Sequence, residues 1–464
     1  MNNGNLRIAN KDLNDFKVLK DLQYELRSTI QKAKVMKKTV IIGAGISGLS
    51  AAYFLKNPCT ILEEKPYAGG LCCSFYENGF TFDCSGHFIH IKDEEIKSLV
   101  NKLSGGTDEI VRNASIYIND LFVPYPFQAS LAYLDEKTKK ECVDGVLKRK
   151  DVDISVKMPF LRWSEAMFGK GITKYFMKPY NEKLWSHDLM KMTAEWTGPF
   201  VPRPDAQSII KSAYSKSRQK YGYNSTFYYP KKNGCQALIN GFVKNCKNIE
   251  FNSKSSAINI KNKTVVTREG KKYKYDNLIS TQPLTELIKQ IKHAPASVKE
   301  AARRLKCSSL RCVNLGVKSS KGIPKILKNR HWIYLPDKKI PFYRIGIYSN
   351  VNSFAAPDKC YGFYVEFSSA GNEYKNCDNV IKDLKHAGFI GKADDIIAAN
   401  IVDMPYAYVI FDNEREKSLK IINEWLNKNS IFTIGRYGAW EYSFIEKNII
   451  DAKRLAKQLS GAGK

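Results

Sequence analysis

Thr39-Val40-Ile41-Ile42-Gly43-Ala44-Gly45-Ile46-Ser47-Gly48, continuing as Leu49-Ser50-Ala51-Ala52-Tyr53-Phe54-Leu55, is the stretch on which the reading of this chain turns. Four strand-forming residues run into Gly43-x-Gly45-x-x-Gly48, and an apolar helical run follows. A glycine turn between a strand and a helix lets backbone N–H groups and the helix dipole face a pyrophosphate, while the missing side chains allow close approach. Cys59 to Glu63 reads as the next strand. Glu63 stands twenty residues beyond Gly43, where a carboxylate accepts hydrogen bonds from an adenosine ribose, with Glu64 as the neighbouring register. The seventeen uncharged residues from Thr39 to Leu55 approach membrane-span length, but the glycine spacing explains them better. The expectation is a β-turn-α-β unit that binds a dinucleotide.

Working outward, 464 residues are about three domains' worth of chain. With 43% hydrophobic, 12% aromatic and 26% charged residues, the balance is that of a folded soluble protein and excludes collagen, small disulfide scaffolds and disorder. The net charge of +28 favours anionic partners, yet the lysines are spread along the whole length, so compositional bias accounts for much of it. No aromatic-basic RNA motif or recognition helix is visible, so no nucleic-acid partner is expected. The 11 cysteines are odd in number and lack paired C-x-x-C spacing, which predicts reduced thiols in a cytoplasmic enzyme and no metal site. Met1 to Lys38 is polar, with no secretory h-region. Within it, Leu13, Phe16, Leu19, Leu22, Leu26 and Ile30 recur at helical spacing, predicting an amphipathic helix that packs on the body or on another subunit, so a homo-oligomer stays open. Phe160 to Ala194 reads as helical. Val313 to Val317, Trp332 to Leu335, Phe342 to Tyr348 and Tyr361 to Phe367 read as strands of a large sheet. Ile431 to Ile434 reads as a strand, and Asn448 to Leu459 as the closing helix.

Gly69-Gly70 follows Glu63 by six residues, and this Glu-x5-Gly-Gly pattern resembles the FAD-binding signature of the amine oxidase and protoporphyrinogen oxidase-like flavoproteins. Tyr229-Pro230-Lys231-Lys232-Asn233-Gly234, Leu278-Ile279-Ser280-Thr281-Gln282-Pro283-Leu284 and Gly435-Arg436 fit the same superfamily. A narrower resemblance, from about Lys38 onward, is to the UDP-galactopyranose mutases. Ser85-Gly86-His87-Phe88-Ile89-His90 resembles the segment beside the isoalloxazine. Tyr125-Pro126-Phe127-Gln128 matches a motif of the nucleotide pocket. Phe176-Met177-Lys178-Pro179-Tyr180-Asn181-Glu182-Lys183-Leu184-Trp185 is similar to the helix that holds the uridine, and Tyr334 to Arg344 to the stretch bearing a nucleotide-contacting Tyr and a diphosphate-binding Arg.

The resemblance implies an α/β fold: a discontinuous Rossmann-like FAD-binding domain (38–105, 215–285 and 420–464), an inserted helical substrate region (125–214), a mostly antiparallel sheet domain (106–124 and 286–419) and an N-terminal extension (1–37). FAD would be held by Gly43, Gly45, Gly48, Glu63, Gly69, Gly70, His87, Gly435 and Arg436. Substrate would meet Tyr125, Gln128, Phe176, Asn181, Trp185, Tyr334, Arg344, Tyr408 and Tyr442, with Tyr406 as the alternative register for Tyr408. Arg344 and a second arginine would clamp the diphosphate. Phe200 stands in the eukaryotic-type register for that second arginine and Arg203 in the bacterial-type one, so Arg203 is the candidate. His87 either shapes the flavin's environment or takes a direct chemical part. Val409 and Glu446-Lys447-Asn448 depart from the family pattern, which makes a nucleotide sugar a safer expectation than galactose.

The implied reaction interconverts pyranose and furanose forms of a UDP-linked sugar. In it N5 of the reduced flavin, with NAD(P)H as an available reductant, is the nucleophile at the anomeric carbon, and Arg344, Arg203, His87, Tyr408 and Tyr442 are the catalytic candidates. Departure of the diphosphate builds negative charge, which guanidinium groups and neutral phenols favour. Two other classes remain: an amine oxidase or desaturase on the same fold, and a basic binding protein that keeps flavin as structure.

Overall fold

The computed structural model describes residues 37–55, 57–149, 152–216, 222, 225–368 and 376–460. The helix expected over Leu13 to Ile30 lies outside them. Two sheets organise the molecule. The first has five parallel strands in the order Ile431–Thr433, Asn277–Ser280, Thr39–Ile42, Cys59–Leu62, Ile249–Glu250. Thr39–Ile42 is buried on both faces, which is why it reads as an unbroken apolar run rather than an alternating one. The helix Ile46–Phe54 follows the glycine turn, and the closing helix Ile445–Leu459 packs against it. Ile445, Ile449, Ala452, Leu455 and Ala456, three or four residues apart, form the buried stripe of that closing helix. It begins three residues before the expected Asn448 because the apolar spacing already starts at Ile445.

The second sheet has seven strands in the order Asp395–Met404, Leu310–Lys318, Cys360–Ser368, Arg344–Ile347, Trp332–Tyr334, Ala114–Ile118, Leu121–Pro124. All neighbours are antiparallel except Trp332–Tyr334 beside Ala114–Ile118. The observed architecture is therefore the α/β Rossmann-like fold with a large mostly antiparallel sheet that the sequence predicts. Register places Tyr334 opposite Arg344, and Arg344 opposite Glu366, so these three form a row across three strands. Because side chains alternate between sheet faces, a one-residue slip would turn the whole row to the other side.

The region expected to be helical from Phe160 is interrupted. Phe160–Ile172 breaks at Gly169 (φ 81°), a five-residue π-helical segment spans Thr173–Met177, and Lys178–Trp185 completes it. Gly169 is forced: a Cβ there would lie 2.3 Å from the Gly145 carbonyl oxygen. From Ser186 to Ala194, where helix was expected, the chain is irregular. All 11 cysteines are free, and among the described residues no helix is long and apolar enough to cross a membrane.

Candidate functional site

The glycine turn is built for a ligand's backbone-side approach. Gly43 N–H donates to the Leu62 carbonyl at 2.8 Å, and a Cβ on Gly48 would sit 2.0 Å from the Gly43 oxygen, so this position admits only hydrogen. Gly45 differs. A Cβ there would have only Gly70 Cα (3.8 Å) and the Gly69 oxygen (3.9 Å) nearby, so it would project into the open cradle between the two glycine pairs. Helix Ile46–Phe54 starts at Gly45 with no side-chain cap and no acidic residue in its first turn, leaving its positive end to an anion. Glu63, 6% exposed, accepts from Ala44 N–H at 2.7 Å and from Lys65 N–H at 2.9 Å; burial pushes its pKa up. Gly435–Gly438 brings the closing segment back against the Ile46–Phe54 helix. Glycine turn, terminal carboxylate and returning segment thus fit a dinucleotide.

His87 lies deeper. Its Nδ1 is buried without a hydrogen-bond partner among the described residues, and its carbonyl accepts from Cys235 Sγ at 3.0 Å. Burial holds its imidazole below the usual histidine pKa, hence neutral near pH 7.

The substrate candidates converge on an aromatic bowl. Tyr125 and Tyr334 lie 5.2 Å apart between ring centres, Tyr334 and Tyr180 5.3 Å, Tyr180 and Phe176 5.4 Å. On the other wall Trp185 meets Tyr408 at 5.4 Å and Tyr442 at 6.3 Å, and the two tyrosines meet each other at 5.6 Å. Burial pushes the phenols of Tyr125, Tyr334 and Tyr442 up, so they stay neutral donors at any physiological pH. Tyr406 turns elsewhere, donating to Glu286 at 2.6 Å, which fixes the register on Tyr408.

Two guanidinium groups enter this bowl, and only one is the expected one. Arg344 pairs with the fully buried Glu366 through Nε (2.5 Å) and Nη2 (2.7 Å), while Ser85 Oγ donates to the same carboxylate. Burial opposes the Arg344 charge, but Glu366, with Tyr364 and Tyr408, more than offsets this and keeps it ionised. The pair occupies one edge of the guanidinium, and Nη1 is the nitrogen left for an anion. The second is Arg436, whose guanidinium lies 4.9 Å from the Tyr408 ring centre and 4.8 Å from that of Tyr442. Nε donates to the Ala407 carbonyl (2.9 Å) and Nη1 to that of Ser443 (3.0 Å), so the side chain is locked between the phenols.

Arg203 is not brought to this cluster. It sits on exposed coil with Nη2 bonded to Thr197 Oγ1 (2.7 Å) and its head 5.1 Å from the Trp163 ring centre. Phe200 takes the place beside Tyr442 instead, at 4.2 Å. The structure gathers Arg436, not Arg203, with Tyr408 and Tyr442. Two further candidates are absorbed by the scaffold: Asn181 accepts from Trp185 Nε1 (3.0 Å) and donates to the Met177 carbonyl (2.7 Å), and Gln128 donates to the Pro202 carbonyl (2.6 Å), leaving its buried Oε1 unbonded. Sequence reasoning missed Arg112, whose guanidinium lies 4.5 Å from the Tyr125 ring centre, and Trp196, 4.9 Å from Trp185. Neither lies in a recognisable motif. Glu446 and Asn448, read as departures, serve the scaffold: Glu446 accepts from Lys92 and Asp93 N–H (2.6 and 2.7 Å), and Asn448 accepts from Ser443 Oγ (2.9 Å).

Comparison with known proteins agrees with this geometry. Residues 41–103 match the family of NAD(P)-binding Rossmann-like domains. A protoporphyrinogen oxidase of Dictyostelium discoideum is 23% identical, spanning 69% of this chain and 74% of its own. A lycopene-forming phytoene desaturase of Pseudescherichia vulneris is 27% identical over 31% of this chain and 29% of its own length. The crystal structure of a reduced UDP-galactopyranose mutase superposes with a TM-score of 0.86 at 26% identity, covering 92% of this chain and 96% of that one. The architecture is that of the amine oxidase-like flavoproteins, and these neighbours support a flavin cofactor.

Proposed function

We propose that this chain is an FAD-dependent mutase of a nucleotide-linked sugar, with UDP-galactopyranose and its furanose isomer as the best pair. The observation that carries the reading is the convergence of Arg344, Arg436, Tyr408 and Tyr442 in one aromatic bowl, an arrangement suited to a sugar diphosphate. FAD would lie along Gly43, Gly45, Gly48, Gly69 and Gly70, with Glu63 at its ribose and His87 toward its ring; when bound and reduced it supplies a nucleophilic nitrogen for the anomeric carbon.

The chain's own groups do the rest. Glu366 and Ser85 fix the plane of Arg344, so that Nη1 points where a phosphate oxygen gains charge as the glycosidic bond breaks. Glu366 neutralises much of Arg344, and Arg436 supplies the second positive charge. Tyr442 donates as a neutral phenol, and the Tyr408 hydroxyl is the second donor. Each such bond to a charged group contributes roughly 1.5–3 kcal/mol. Trp185, Trp196 and Phe200 wall the bowl against water, and Tyr125, Phe176, Tyr180 and Tyr334 offer faces to a planar base.

The test is incubation of the flavin-loaded protein with dithionite or NAD(P)H and UDP-galactopyranose, followed by chromatography for the furanose. Failure to convert any UDP-, GDP- or dTDP-hexose overturns the proposal. An oxidase or desaturase reading is favoured by the length of the match to the protoporphyrinogen oxidase. It predicts substrate-dependent oxygen consumption, which an isomerase does not show, and it gives Arg344 and Arg436 no anion to hold.

A further inference from the structure

Lys183 lies on the Lys178–Trp185 helix, among the residues that wall the bowl, yet its side chain leaves the bowl entirely. Nζ donates to three backbone carbonyls: Leu335 at 2.6 Å, Phe342 at 2.7 Å and Asp337 at 3.0 Å. All three ammonium protons are thereby used. These carbonyls belong to the segment joining strand Trp332–Tyr334 to strand Arg344–Ile347, the two strands that end and begin at Tyr334 and Arg344. A second tie joins the same helix to the same segment, Glu182 to Lys338 at 2.9 Å. The Lys183 carbonyl accepts from Ser368 Oγ, at the end of the strand that carries Glu366. One residue therefore touches the segment after Tyr334, the segment before Arg344 and the strand holding Arg344's carboxylate partner.

We propose that Lys183 is a positioning residue: by binding the carbonyls of Leu335, Asp337 and Phe342 it locks the 335–343 segment to the aromatic helix and so fixes Tyr334 and Arg344 relative to a bound nucleotide diphosphate. The ligand part of this rests on the function proposed above; the lock itself does not. Three carbonyls converging on one point repel each other; the ammonium form of Lys183 meets all three while burial pulls its pKa down to about 7, and no neutral side chain of similar length supplies three donors.

The test is Lys183→Met, which keeps the stem and removes the donors, with Lys183→Gln as the variant to read if the first fails to fold. Two measurements follow. Limited trypsin digestion with mass analysis reports cutting after Lys338 and Lys339, both exposed on the segment. The expected result is severalfold faster cutting there, with other sites unchanged. Calorimetric titration with UDP, on protein shown to be folded, is expected to give an affinity about 10- to 100-fold weaker, the loss of one charged hydrogen bond from a displaced Arg344. A purely structural role would lower the melting temperature while the folded protein kept its UDP affinity, and that result overturns the positioning role. Cutting at the wild-type rate overturns the lock. If the wild type itself does not bind UDP, faster cutting still supports the lock, and the nucleotide reading alone falls.

Discussion

Replacing Arg344 by alanine is expected to harm folding as well as activity, and the two effects can be separated. Glu366 has a fully buried side chain, Arg344 is 20% exposed, and their bonds of 2.5 and 2.7 Å hold the carboxylate with only Ser85 Oγ as a further donor. Arg344→Ala strands that charge. Breaking one side of a buried pair costs about 3–5 kcal/mol, a large share of the 5–15 kcal/mol typical of a native domain. Removing the charge with the partner does not: Arg344→Met with Glu366→Gln is expected to recover most of the loss, because a neutral amide still accepts from Ser85. Urea unfolding of the flavin-loaded protein, followed by tryptophan fluorescence, gives the two stabilities, and UDP titration gives the binding. The single and double variants are expected to lose UDP affinity alike, since both lack Nη1, but to differ in stability by several kcal/mol. A single variant as stable as wild type, or a double variant no better than the single, would refute the idea that Glu366 orients a charge it also depends on.

The remaining expectations concern the second arginine, the cradle and acid. Arg436→Ala is expected to weaken UDP binding about 10- to 100-fold, and Arg203→Ala to leave turnover within about twofold, as surface changes do; a reversed order in the same kinetic assay restores Arg203 to the site. Gly45→Val fills the cradle while the turn survives, so purified protein should lose its yellow colour yet keep its circular dichroism spectrum; retained flavin argues against that placement. His90 and His331 are held down to about 4 by burial, and His331 Nδ1 accepts from Asn113 N–H at 3.0 Å, a bond that protonation removes. The unfolded chain takes up protons near pH 6.5 and the folded one does not, so stability is full above neutrality and falls as pH drops, by about 2 kcal/mol per histidine at pH 5. A melting temperature that falls clearly less between pH 7.5 and 5 in His331→Gln/His90→Gln than in wild type is the expected readout, the remaining fall coming from His87 and His187, which burial also holds below the usual histidine pKa.

How much was legible in the sequence depended on what fixes each residue. The glycine turn and the flanking strands were legible because local steric need sets them: no other side chain fits at Gly48, and an apolar run of four between turns has few alternatives. Tyr334 and Arg344 were named from the resemblance of the stretch they bound, and the register of two adjacent strands sets them opposite each other. The direction Arg203 takes was not legible because it sits on coil, where spacing along the chain says nothing about direction, and the packing of its head over Trp163 is a tertiary fact. Arg436 was placed near the cofactor by its neighbour Gly435, but the reach of its side chain to two tyrosines comes from the turn at Gly435–Gly438. Lys183 stood in a quoted motif with no role, since its three partners lie some 150 positions away.

The central strand Thr39–Ile42 is synthesised long before its neighbour Asn277–Ser280, and Ile431–Thr433 follows later still. A growing polypeptide therefore cannot form a finished cofactor bed before the residues around Gly435 have been made. Loading with flavin is accordingly expected only once Ile431–Thr433 has joined its sheet, and stop products that end before Ile431 should accumulate colourless however much riboflavin the cell supplies.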